Sequence, residues 1–304
     1  MSKIIIVAGP TASGKTALAV KLAKTFNGEV ISADSMQIYK RLDIGTAKPT
    51  ESETDGVKHH LIDFVEPDAP YNAALYQKDA RKIIDALIKA DKTPILAGGT
   101  GLYINSVLYD MNFANSDKNP ELRCELEKKY DKDGGAAMLE ELSLSNPEVA
   151  AKLHVNDKKR VVRACETALI GKKTDGDEFN TKLYYNDYIF VTLNPDRARL
   201  YAKINERTDL MLKNGLTQEV KELIDTGLTF DMQSMQSIGY KEFEGYFFKG
   251  QPLESVAETI KQHTRNYAKR QITWFKRYKA KQFDTLDNNC LESVTDFVGS
   301  SLKA

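Results

Sequence analysis

Apolar residues in this chain recur in two rhythms. Short unbroken runs stand at Ile4–Ala8, Glu29–Ala33, Thr93–Ala97 and Tyr188–Leu193. Runs of this length, rich in β-branched residues and ended by turn residues, predict strands buried on both faces of a parallel sheet. Between them, apolar positions fall three and four apart. Leu18, Leu22 and Phe26 predict a helix after the first strand, stopped by Asn27-Gly28. Asn72 predicts the cap of a helix whose core face is Leu75, Asp79, Ala80, Ile83, Ile84, Leu87 and Ile88, with Asp79 the one polar intrusion. Leu102–Tyr109 predicts another. Strand, helix, strand, helix, strand is the order of an α/β fold with a parallel sheet core flanked by helices.

From about Met111 to Lys182 the strand rhythm stops. Pro120 after Asn119 and Pro147 after Asn146 read as first-turn prolines, and Asp157 caps a helix that runs to Ile170 and is closed by Gly171. An all-helical insertion domain is predicted at 111–182, inside a core made of 1–110 and 183–304. After the strand at Tyr188–Leu193 comes a helix with Leu200, Ile204 and Met211 on one face and Arg207 beside them. Leu216–Thr226 and the stretch from Leu253 onward predict further helices.

Composition narrows this picture only a little. The 304 residues are 41% hydrophobic and 28% charged, and Lys+Arg equals Asp+Glu at 43 each. Net charge therefore points to no nucleic-acid partner, and only its distribution could. Cys124, Cys165 and Cys290 are odd in number and far apart, with no Cys-x-x-Cys pair, which favours a reducing cytoplasm over a disulfide framework or zinc knuckle. No run reaches the ~20 apolar residues of a membrane span, so no membrane partner is expected, and a monomer is the default expectation.

The candidate chemistry begins at Gly9-Pro10-Thr11-Ala12-Ser13-Gly14-Lys15-Thr16. Gly-x-x-x-x-Gly-Lys-Thr between a strand and a helix is a P-loop. Its unpaired backbone N–H groups and the helix dipole favour an anion. Lys15 adds a charge, and Thr16 can place its hydroxyl on Mg²⁺. The motif specifies a polyphosphate without saying which one. Where a motor ATPase carries an Asp at the end of a later strand, this chain has Gly98-Gly99-Thr100. Asp34 instead follows the second strand, facing the ligand crevice of such a sheet. His59-His60 has no evident third ligand, so packing or hydrogen bonding is its expected role.

Two basic stretches stand apart. Lys158, Lys159, Arg160 and Arg163 crowd the start of one predicted helix, where positive charge opposes the dipole. Lys261, Arg265, Lys269, Arg270, Lys276 and Arg277 interleave with Tyr267, Trp274, Phe275 and Tyr278 near the end of the chain. Such groups either bind phosphates and stack bases or form merely wet faces of amphipathic helices.

Together, six stretches resemble the tRNA dimethylallyltransferases, which prenylate an adenosine beside the anticodon. They are Gly9–Thr16, Ile31–Tyr39, Asp43–Pro49, His59–Asp63, Gly98–Tyr103 and Ala268–Phe275, in the family's order and over nearly the full length. The resemblance implies a P-loop NTPase-like core whose P-loop, Gly9, Pro10, Thr11, Ala12, Ser13, Gly14, Lys15 and Thr16, holds dimethylallyl diphosphate rather than ATP. It implies Asp34 as proton acceptor for the exocyclic amine and Thr100 as donor to the bridging oxygen. Lys15, Arg207 and Thr16 with Mg²⁺ would cover the diphosphate charge. The implied tRNA contacts are Asp34, Ser35, Met36, Gln37, Thr100, Arg123, Lys159, Arg160, Val161, Val162, Arg163, Gln236, Ser237, Ile238, Gly239, Tyr240 and Lys241. Lys159-Arg160 stands where the family often has Gln-Arg, and the zinc finger of some eukaryotic members is absent, as in bacterial-type enzymes. Two other classes compete: a P-loop kinase using ATP on a small molecule or nucleoside, with Asp34 as base, and a non-enzymatic RNA-binding nucleotide switch. The kinase leaves the insertion and the basic aromatic helix without a purpose. The switch lacks an Asp-bearing third strand.

Overall fold

The computed structural model describes residues 3–111, 113, 120–170, 182–285 and 289–303. The expected stop at Gly171 and the residue Asn119 before Pro120 lie outside them. The elements in order are β1 (Ile4–Ala8), α1 (Lys15–Thr25), β2 (Gly28–Ala33), α2 (Glu51–Thr54), β3 (His59–His60), α3 (Ala73–Lys89), β4 (Thr93–Gly98), α4 (Gly101–Leu108), α5 (Pro120–Ser145), α6 (Pro147–Ala150), α7 (Lys158–Leu169), β5 (Tyr188–Leu193), α8 (Arg197–Lys213), α9 (Leu216–Asp225), α10 (Glu244–Lys249), α11 (Leu253–Phe275), β6 (Lys281–Phe283) and α12 (Cys290–Lys303). They divide into two compact units, residues 1–107 with 185–304, and residues 108–184. No described helix is long and apolar enough to cross a membrane.

In the larger unit the six strands lie in the order β3-β2-β4-β1-β5-β6. Each pairing is parallel. β1 is central because its residues have no polar side chain to offer water: Ile4 to Ala8 are all buried. One face is packed by Leu18 and Leu22 of α1 and by Val294 and Val298 of α12. On the α3 side, Tyr76 stacks on Tyr103 with ring centroids 3.9 Å apart and donates its hydroxyl to the Ser32 carbonyl. The carboxyl ends of β1, β2 and β4 thus open together on one edge, where loops carry the polar residues.

Three local expectations are corrected. Asn27, at φ 47°, takes the left-handed turn alone. Gly28 opens β2, and its hydrogen faces the Thr93 carbonyl, where a Cβ would lie 2.6 Å away. In α3 the buried face is Tyr76, Ala80, Ile84 and Leu87, and Leu75 is 42% exposed. The Tyr76–Tyr103 stack turns the helix one position from its expected phase. Beyond the basic helix, where the pattern predicts no further element, the chain forms β6 and α12. Lys281–Phe283 is too short and polar to signal a strand, and pairs with β5 because it runs beside an open sheet edge.

In the smaller unit, Leu126, Met138, Leu142, Val161 and Val162 form the core. Gly134, at φ 83°, breaks α5 into two stretches. Asp157 caps α7 by accepting the Arg160 N–H.

Glu29 at the start of β2 is nearly buried and lies 2.6 Å from His60 Nε2, with Lys92 as a second partner. His59 bonds the Val57 carbonyl through Nδ1. Burial disfavours the Glu29 charge, but hydrogen bonds from Lys92 and His60 outweigh it and hold the carboxyl below its ordinary range. A depressed carboxyl pKa stabilises the fold above the unfolded value, about 4.3, and that gain is lost as pH falls through the lower folded value. Glu29→Gln is expected to cost about 1–3 kcal/mol at neutral pH and to flatten the acid limb of the stability curve. Urea unfolding from pH 7 down to about pH 3 checks this; an unchanged acid limb would refute it.

Candidate active site

The loop after β1 is built for an anion. Gly14 caps α1 in the left-handed region at φ 82°, and Ala12 shares that sign at φ 61°. Gly9 passes so close to β5 that a Cβ would sit 2.9 Å from the Leu193 carbonyl. The Ser13 hydroxyl is buried with no hydrogen-bond partner. A cavity of about 210 Å³ opens over the loop, lined by Thr11 to Thr16, Asp34, Gln37, Arg207 and Gln271 among others. Lys15 Nζ donates to the Pro10 carbonyl at 2.6 Å. Arg207 Nη2, from α8, donates to the Thr11 hydroxyl at 2.6 Å.

Both cations are withdrawn from water. Burial pushes Lys15 down to about 8, against the opposing pull of Asp34, and the Arg207 charge lowers it further. Burial also lowers Arg207, again opposed by Asp34. Two desolvated cations beside one carboxylate form a charge set that a polyanion would complete.

Asp34 follows β2. Its Oδ1 accepts the Met36 N–H at 2.9 Å and the Gln37 N–H at 3.3 Å, so the carboxylate is aimed by its own turn. Thr100 Oγ1 accepts the Ser35 N–H at 3.1 Å, tying the ends of β2 and β4 together. A second cavity, of about 280 Å³, is lined by Ser35, Met36, Gln236, Ile238, Gly239, Lys241, Tyr267 and Arg270 among others. Thr11, Asp34, Thr46 and Arg207 line both cavities. A group entering from either side therefore meets Asp34 and Arg207. Such geometry suits transfer between an anionic donor and a second substrate, with a base between them.

The loop roofing both cavities is held by Glu219 of α9. Its carboxylate accepts the N–H groups of Asp43, Ile44 and Gly45 and the Tyr240 hydroxyl. Gly45 must be glycine here, because a Cβ would lie 2.4 Å from the Tyr240 ring. Sequence reasoning missed Glu219, since nothing local marks a glutamate on an amphipathic helix as a loop anchor.

The structure sorts the predicted RNA-contacting residues. Val161, Val162 and Tyr240 are buried, so these side chains pack inward and do not face a partner; apolar or aromatic character won over motif position. Ser237 is largely buried as well, yet it lines the second cavity together with Gln236 and Ile238. Lys159 and Arg160 are exposed. Arg123 and Arg163 both donate to Oε2 of Glu166, at 2.9 and 2.7 Å, and Glu166 is fully buried. That carboxylate anchors two half-exposed guanidinium groups on the surface of the smaller unit. Sequence reasoning named the arginines and missed their anchor.

Fold and site together define a P-loop α/β protein with a helical second unit and, in the larger unit, two cavities that share Asp34 and Arg207. The sequence model of the IPP transferase family matches residues 37–278. The chain is 51% identical to a tRNA dimethylallyltransferase of Clostridioides difficile, over 92% of this chain and 91% of that one. It is 46% identical to a tRNA dimethylallyltransferase of Alkaliphilus oremlandii, over 98% and 97%. The crystal structure of a tRNA isopentenylpyrophosphate transferase from Bacillus halodurans aligns with a TM-score of 0.76 at 39% identity, covering 100% of this chain and 97% of that one. A eukaryotic dimethylallyltransferase, captured acting on tRNA, aligns at 0.83 and 29%, covering 99% and 80%. The chain belongs to the tRNA dimethylallyltransferase family of prenyltransferases.

The lowered Lys15 pKa has a binding consequence. An anion restores the ammonium, so pyrophosphate binding near pH 8 should take up a proton at Lys15, and affinity should weaken once the free amine is neutral. Lys15→Arg, always charged, should remove that component. Calorimetry in two buffers of different protonation enthalpy measures it; equal proton uptake by parent and Lys15→Arg would refute the assignment.

Proposed function

We propose that the chain transfers a dimethylallyl group from dimethylallyl diphosphate to N6 of the adenosine immediately 3′ of the anticodon in tRNA, releasing diphosphate. The observation that carries this reading is the pair of cavities meeting at Asp34 and Arg207, taken with the family's tRNA-acting members. The diphosphate lies over Gly9–Thr16, with Lys15 and Arg207 compensating its charge. The adenine, turned out of its stack, enters from the side of Met36 and Ile238. As the N6–C bond forms and the C–O bond to diphosphate breaks, the amine proton passes to the Asp34 carboxylate. Thr100 donates a hydrogen bond to the departing bridging oxygen.

Mg²⁺ fits this site in one way. Among the described residues no group of three or more His, Cys, Asp or Glu could hold a metal, so the ion would rest on Thr16, the diphosphate oxygens and water. When bound it neutralises charge on the leaving group. Lys159, Arg160, Arg163, Arg123 and Lys241 supply phosphate contacts, and the backbone of Val161–Val162 and of Tyr240 sets their spacing.

Asp34→Asn keeps the turn's acceptor and removes the base, so turnover should fall by about 10²–10⁴ with pyrophosphate inhibition little changed. Mass spectrometry of tRNA nucleosides after reaction with Mg²⁺ and dimethylallyl diphosphate reads it, and a variant of normal turnover would remove Asp34 from the mechanism. Labelled ATP binding in preference to the prenyl donor would support the kinase reading instead. Arg160→Ala and Lys269→Ala should each reduce the salt slope of tRNA binding by roughly 0.7–0.9 without altering donor binding. Unchanged tRNA affinity at every salt concentration would mark both groups as merely solvated.

A further inference from the structure

Gln271, on α11, is 4% exposed and sits where three chain segments meet. Its Oε1 accepts the Thr11 N–H of the P-loop at 2.8 Å. Its Nε2 donates to the Gly99 carbonyl at 2.9 Å, one residue before Thr100. Only one orientation of the amide satisfies both bonds. The fit is close: a Cβ on Gly99 would lie 2.1 Å from Nε2. One turn earlier on α11, Tyr267 lines the second cavity. The anion loop and the Thr100 loop leave the paired ends of neighbouring strands, with Ala8 of β1 opposite Gly98 of β4, and the Gln271 amide bonds the backbone of both loops just beyond that last pair.

We infer that Gln271 is a positioning residue which fixes the distance between the diphosphate cradle at Thr11 and the Thr100 hydroxyl that donates to the departing bridging oxygen, and so sets the rate of the transfer step. The inference rests on the transfer reaction proposed above. Misplacement by about 1 Å of groups that must align in a transition state costs about 10²-fold. Neither bond is made to substrate, so the loss should fall on kcat at saturating donor and tRNA.

The test uses two variants of the full chain. Gln271→Met keeps the volume and removes both bonds; its kcat should fall about 10- to 100-fold, with the KM values for donor and tRNA changed much less. Gln271→Glu mimics the amide only while protonated, when its hydroxyl donates to the Gly99 carbonyl. Once ionised it repels that carbonyl. Its kcat should approach the parent's at the acid end of the profile and fall away as the carboxyl loses its proton, a limb the parent lacks. Thermal melts are run alongside, and if Gln271→Met is unfolded the Gln271→Glu profile decides alone. Parent-like kcat in both variants, a Gln271→Glu profile parallel to the parent's, or a loss confined to donor KM would each overturn the inference. The parent is assayed first on tRNA and dimethylallyl diphosphate: a parent that makes no prenylated tRNA refutes the reaction, whereas an active parent with indifferent variants refutes only the role of Gln271.

Discussion

Two desolvated cations at the carboxyl end of β1, with the Asp34 carboxylate beside them, set the terms for the rest of the larger unit. Lys15 and Arg207 lose hydration in the same small volume, and Asp34 offsets only part of that loss. A buried, uncompensated positive charge is costly, so the surrounding structure has to hold it. The all-apolar β1 supplies a rigid base, α1 directs its first N–H groups at the same point, and α8 brings Arg207 onto Thr11. What is costly in the free protein is an affinity for polyanions.

Around that point side chains add to the backbone bonds that join the loops, such as those from Thr100 N–H to the Ala33 carbonyl and from Asp63 N–H to the Gln37 carbonyl. Glu219 gathers three consecutive N–H groups of the roofing loop, Lys48 donates to the Tyr39 carbonyl beneath it, and Gln271 joins the loops from β1 and β4. Gly45, Gly99 and Gly101 are the positions where these clamps press against backbone; a Cβ at Gly101 would meet the Trp274 ring. Helix α11, whose exposed face is basic, is thus fastened on its inner face by Gln271 and Trp274. One helix can in this way serve the site with one side and, in the proposed function, RNA with the other.

The smaller unit repeats the principle. Fully buried Glu166 carries two guanidinium groups that remain near 40% exposed. Breaking such a triad would leave charge uncompensated in the core of α5 and α7. The arrangement keeps Arg123 and Arg163 oriented while each still offers donors to solvent or to a phosphate.

The chain's local patterns determined the strands β1, β2, β4 and β5, the P-loop between β1 and α1, the helical character of the insertion and the placing of Asp34 and Thr100 at strand ends. Each depends on neighbours within a few residues, where periodicity and turn chemistry act directly. Tertiary structure alone decided the phase of α3, because the Tyr76–Tyr103 stack outweighs the burial of Leu75. It decided that Val161, Val162 and Tyr240 face inward, that Arg123 and Arg163 share one anchor, and that a polar tripeptide becomes β6. It decided the role of Gln271, which bonds residues 260 and 172 positions away. A glutamine in a helix carries no local mark of its partner; only the packing of α11 across the ends of β1 and β4 brings its amide between them.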